Sequence, residues 1–93
     1  MEVLEAFLRL FQEGRYFEAH EVLEEAWREA EGEEKCFLQG LILLAAALHQ
    51  GAEGRSGLRN LKKAEARLHG LPSPYLGLDW GPLLLEARRR LGA

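Results

Sequence analysis

The chain has 93 residues, 47% of them hydrophobic and 29% charged, with a net charge of −3 at neutral pH. That length predicts one domain with one modest core. Mean hydropathy is −0.22, and no apolar run approaches the roughly 20 residues of a membrane span. A lone cysteine, Cys36, excludes an internal disulfide. Without a basic region, an apolar stretch and a small-residue cleavage site at the N-terminus, the cytoplasm is the expected compartment.

Charge is spread unevenly. Residues 1–34 carry eleven acids and three bases, a net of −8, whereas residues 35–93 carry four acids and nine bases, a net of +5. The split predicts that the two halves lie against each other, within one chain or across a homo-oligomer. Arginine greatly outnumbers lysine and threonine is absent, a usage compatible with a thermophile.

Nearly every segment reads as helix. Two valines and one isoleucine cannot supply strand-like alternation, and the three prolines fall at positions 72, 74 and 82. The first helix is expected over about Glu2–Glu13, where Leu4, Phe7, Leu8 and Phe11 form an amphipathic stripe. Gly14 ends it. A second helix follows from about Tyr16 to Glu31, stopped by Gly32, and the short connection implies a hairpin. The third, about Glu34–Gln50, is apolar almost all round from Phe37 to Leu48, so it is the central one. Gly40, Ala46 and Ala47 mark a narrow side where another helix can approach. Gly51, Gly54 and Gly57 mark the next loop.

A fourth helix is expected over about Gly57–His69, with Ser56 as N-cap and Leu58, Leu61, Ala64 and Leu68 inward. Gly70 and Pro72 stop it. After a loop containing Tyr75, Asp79 caps a last helix over about Trp80–Leu91. Arg88, Arg89 and Arg90 occupy its final turn, where positive charge suits the helix dipole. No basic patch interleaved with aromatics accompanies them, so nucleic acid is not an expected partner. The fold class is therefore all-α, a compact antiparallel bundle of about five helices with the third central.

The stretch Y-F-E-A-H-E-V-L-E-E-A-W-R, Tyr16 to Arg28, carries the most chemistry. On a helical wheel Ala19, Leu23, Ala26 and Trp27 share the apolar side with Tyr16, and Trp27 is expected to be buried. His20 lies at the edge, one turn from Glu24, so the two can pair. Glu21 and Arg28, also counted as candidate ligand-binding residues, point well away towards solvent, and Glu21 can join the pair only through another element. Gln39 or His49 of the third helix is expected to complete the polar cluster, according to the crossing register. Such a cluster at a core edge suits a small ligand or a protein partner.

H-E-x-x-E resembles the zinc hydrolase pattern H-E-x-x-H with the second histidine replaced. A metal-dependent hydrolase or oxidoreductase using His20 and Glu24 is thus the rival reading. Yet a complete first shell cannot be assembled, and neither metal nor cofactor is expected. Cys36 reads as a core thiol.

Two resemblances extend these readings. Gly14, Tyr16, Ala19, Leu23 and Ala26 match the packing positions of the second half of a tetratricopeptide repeat, which would suit an interaction module. Nothing similar recurs about 34 residues later, so no array is implied. More of the chain, about residues 4 to 69, resembles the small helical proteins grouped as domain of unknown function 309. The matching features are Gly14 and Tyr16, E-A-H-E at Glu18–Glu21 with Glu24 and Trp27, and Q-G-L-I at Gln39–Ile42. Ala45–Ala47, His49, Gly57 and Leu58 follow in order. The resemblance implies a compact all-α fold with a polar cluster on the second and third helices, and no particular activity.

Overall fold

A computed structural model describes residues 1–93. It holds five helices: α1 (Glu2–Gln12), α2 (Tyr16–Glu29), α3 (Gly32–Ala52), α4 (Leu58–Leu68) and α5 (Trp80–Leu91). There is no sheet; the sole strand-like pairing is an isolated bridge between Tyr75 and Leu78. No helix is long and apolar enough to cross a membrane.

α1 buries Leu4, Phe7 and Phe11 on its predicted stripe. Gly14 adopts a φ of +77°, which lets the chain reverse within three residues and lays α2 beside α1. The Tyr16 and Phe11 rings meet edge to face at a centroid distance of 5.4 Å, closing the turn from the inside. α3 is central, as its all-round apolar character requires: it packs against α2, α4 and α5. Phe37, Leu38, Leu41, Leu44 and Leu48 of α3 sit in a continuous cluster of 19 buried residues, none of them polar or charged.

The α3–α4 seam depends on missing side chains. A Cβ at Gly40 would lie 2.7 Å from Leu68 Cγ. At Gly57 it would lie 2.2 Å from the Ala47 carbonyl oxygen. The chain therefore enters α4 hard against the α3 backbone. Farther along the seam, the Asn60 side-chain amide donates to Gln50 Oε1 at 3.0 Å.

Several boundaries differ from the sequence expectation. α2 ends at Glu29, because Ala30 turns extended (ψ 159°). Gly32 opens α3 rather than closing α2, and Glu33 and Glu34 then occupy the acid-favouring first turn. α3 runs on through Gly51 to Ala52. The N-cap of α4 is Gly57, and Ser56 Oγ accepts only a long 3.5 Å contact from Leu58 N–H. Asp79 occupies the N-cap of α5 without capping it directly. Its carboxylate instead accepts the Ser73 hydroxyl, and Ser73 Oγ accepts the Gly81 N–H at 3.1 Å. A serine eight residues upstream thus supplies the cap, which local pattern cannot foresee.

Within the chain, no ion pair joins the two charged halves. Arg15 binds Glu13 and Glu18 within the acidic half. Arg55–Glu53, Arg88–Glu65 and the Arg89 and Arg90 contacts with Glu86 all lie within the basic half. α3 packs against α2 on one side and α4 on another, and α2 meets α5 at the hollow that Tyr16 shares with Arg90 and Leu91.

The segment between α4 and α5 is tied down by polar contacts. Leu76 and Gly77 both have positive φ and form a tight turn, with Tyr75 and Leu78 exchanging two 3.0 Å backbone hydrogen bonds. The Tyr75 ring packs on Phe37 at 4.7 Å, and its hydroxyl donates to Glu33 Oε1 at 3.1 Å. Desolvation, then the neighbouring Glu33 carboxylate, holds the Tyr75 phenol above its ordinary value of 10.0.

Candidate functional site

α2 and α3 cross so that three rings meet at the surface. Phe17 stands between two imidazoles, its centroid 5.8 Å from that of His20 and 5.4 Å from that of His49. Phe17 is 50% exposed although it is a large apolar side chain. Each histidine has a glutamate one helical turn further on: His20 Nε2 lies 3.5 Å from Glu24 Oε1, and His49 Nε2 lies 3.5 Å from Glu53 Oε1. Both separations exceed a good hydrogen bond, so these are loose polar contacts. The side chains of His20 and His49 retain 26% and 34% exposure. The result is a cluster of three rings with a carboxylate beside each imidazole.

His20 lies beside Glu24 on α2, His49 reaches the same Phe17 ring from α3, and the other expected members of the cluster lie elsewhere. Tyr16 faces Phe11 and a hollow beside Leu48, Gly51 and Leu91. Gln39 lines a groove with α4, because its register on α3 turns it away from α2. Glu21 and Arg28 are exposed and make no ion pair. Trp27 is half-buried rather than buried. Lys35 Nζ covers its ring at 4.9 Å from the centroid, and its indole Nε1 is enclosed without a hydrogen-bond partner. Phe17, not Trp27 or Tyr16, is the ring stacked beside His20.

Two participants escape the sequence reading. Phe17 looks like an apolar accident on a polar face, and that misplacement is itself the signal. Glu53 falls in the loop if the third helix stops at Gln50. Yet H-E-V-L-E at residues 20–24 and H-Q-G-A-E at residues 49–53 share one histidine-to-glutamate spacing. The repeated spacing puts a carboxylate under each imidazole only if α3 continues past Gly51, as it does. No group of three or more His, Cys, Asp or Glu side chains converges as metal ligands. The metal-dependent alternative using His20 and Glu24 therefore has only that one pair and no third ligand beside it.

The family described as "Domain of unknown function (DUF309)" matches residues 4–61. The chain belongs to this family. The matched span runs from α1 through the first turns of α4 and contains the whole Phe17 surface. A crystal structure of a conserved hypothetical protein, TTHA0068 from Thermus thermophilus, is similar over 97% of this chain and 96% of that one. The two share 67% identity and a TM-score of 0.93. An uncharacterized protein of Aquifex aeolicus (strain VF5) is 34% identical over 98% of this chain. The chain spans only 28% of that relative's length. The residues of the tetratricopeptide resemblance fall within the α1–α2 hairpin.

Proposed function

We propose that this DUF309 protein is a binding module whose α2–α3 surface receives the guanidinium of a protein partner. The observation that carries the reading is the Phe17 ring, half exposed between His20 and His49 with Glu24 and Glu53 beyond them. A planar cation can lie over an aromatic face while its N–H donors reach flanking carboxylates. The net −8 of residues 1–34 adds a long-range pull on a cation.

Magnitudes decide the class of ligand. An exposed cation–π contact contributes about 0.5–1 kcal/mol. An exposed ion pair contributes about 0.2–1 kcal/mol. Free arginine would therefore bind only weakly, and useful affinity requires further contacts from the same partner. A peptide or protein surface meets that requirement better than a small metabolite.

The test is fluorescence anisotropy of a labelled peptide carrying two arginines. Saturable binding is expected, weakened about tenfold or more by Phe17→Ala combined with Glu24→Gln and Glu53→Gln. A control peptide with citrulline replacing each arginine should not bind. Equal affinity of parent and triple variant would remove the proposal.

A further inference from the structure

On the opposite, basic side of α3 lies a second hollow. The groove between α3 and α4 encloses about 340 Å³. Cys36, Gln39 and Leu43 of α3 form one wall, at spacings that place them along one stripe of the helix. Lys63, Ala66 and Arg67 of α4 form the other.

The polar groups of this groove lack partners of their own. Lys63 and Arg67 are one turn apart, a like-charge placement that disfavours the helix. Neither has a carboxylate within ion-pair distance, whereas Arg55, Arg88, Arg89 and Arg90 all do. The Gln39 amide has no hydrogen-bond partner in the chain, and the Cys36 thiol is committed to the Arg67 carbonyl at 3.3 Å. Three side chains rich in N–H donors thus face one hollow, with Leu43 and Ala66 as its apolar surfaces. No acid lines it.

From this arrangement we infer that the α3–α4 groove binds the oxyanion of a small molecule, through Lys63, Arg67 and Gln39. Lys63 and Arg67 supply charge-assisted hydrogen bonds, Arg67 in a planar fork suited to phosphate or carboxylate. The Gln39 amide adds a neutral donor from the facing helix. The +5 of residues 35–93 favours approach of an anion to this side. Leu43 and Ala66 offer room for an apolar portion of the same ligand. The site is independent of the Phe17 surface.

The full chain would be titrated with inorganic phosphate, and separately with acetate, at constant ionic strength held by chloride, following backbone amide resonances. Saturable shifts around Gln39 and Arg67 are expected. Saturation by either anion supports the site and identifies its preferred oxyanion; saturation by neither overturns it. Lys63→Ala with Arg67→Ala should weaken binding about tenfold or more. Arg89→Ala with Arg90→Ala removes the same charge from the basic half and should change it by less than about twofold. Equal losses in the two double variants would mean diffuse attraction and would overturn the site. Because Cys36 is in the wall, its alkylation by iodoacetamide gives a reading on the parent alone. Saturating phosphate or acetate, whichever binds, should slow that alkylation, and an unchanged rate would place the anion elsewhere.

Discussion

The two long seams of α3 are built on opposite plans. Against α4 the helix presents glycine and alanine, and the partner backbone comes within reach of its carbonyls. Against α2, near the end of the helix, it presents His49, and α2 answers with Phe17 and His20. The first seam is closed at Gly40 and Gly57, where close approach explains the missing side chains. The second leaves a large ring half in water beside two polar pairs, and packing alone does not account for it.

The sharpest way to break the first seam is Gly57→Ala. The added Cβ would sit 2.2 Å from the Ala47 carbonyl oxygen, a backbone atom that cannot rotate aside. A loss of about 3 kcal/mol or more is expected. For a chain of this size that lowers the melting temperature by more than about 12 °C. Thermal unfolding followed by circular dichroism checks it, and a shift of only a few degrees would mean the entry to α4 is plastic.

Phe17→Ala sharpens the contrast from the other side. A half-exposed side chain outside the buried cluster should cost no more than about 1 kcal/mol when truncated. Chemical denaturation measures this. A cost near that of a core phenylalanine would make Phe17 a packing residue and strip the surface of its recognition role.

Tyr75 offers a smaller test, of the tie between the α4–α5 segment and α3. Its phenol is held above the ordinary value, so the protonated form is favoured in the folded state. The stability it confers is fully present below about pH 10 and is lost as pH rises through the raised folded value. The parent should therefore lose melting temperature above about pH 10 more steeply than Tyr75→Phe. Parallel curves would show that the Glu33 contact does not matter to folding.

How much of this was legible in the sequence follows the same division. Core positions such as Phe7, Leu23, Phe37, Leu61 and Ala64 were legible because period and burial are local properties of a helix. The central place of α3 followed from its lack of a polar face. His20 with Glu24 was legible for the same reason, being a pair within one helix. The direction of Gln39 was not, because it depends on which neighbour of α3 lies at that register. Phe17 and Glu53 were hidden for a related reason. One needed the crossing to become a partner of both histidines, and the other needed α3 to run on past a glycine. The Ser73 relay to Gly81 was hidden because a cap supplied from a distant turn leaves no trace in the first turn it serves. The charge split was legible, whereas the choice of ion-pair partners was not, since all of them lie within one half or the other.

The α2–α3 surface is tested most directly by the three imidazoles, since His20 and His49 flank Phe17 while His69 lies exposed at the end of α4. Histidine ring resonances would be followed as a diarginine peptide is added to the full chain. The His20 and His49 signals should move together along one saturable curve, with His69 unmoved as an internal reference. Immobile His20 and His49 signals, or a His69 signal moving in step with them, would contradict a guanidinium seated on Phe17.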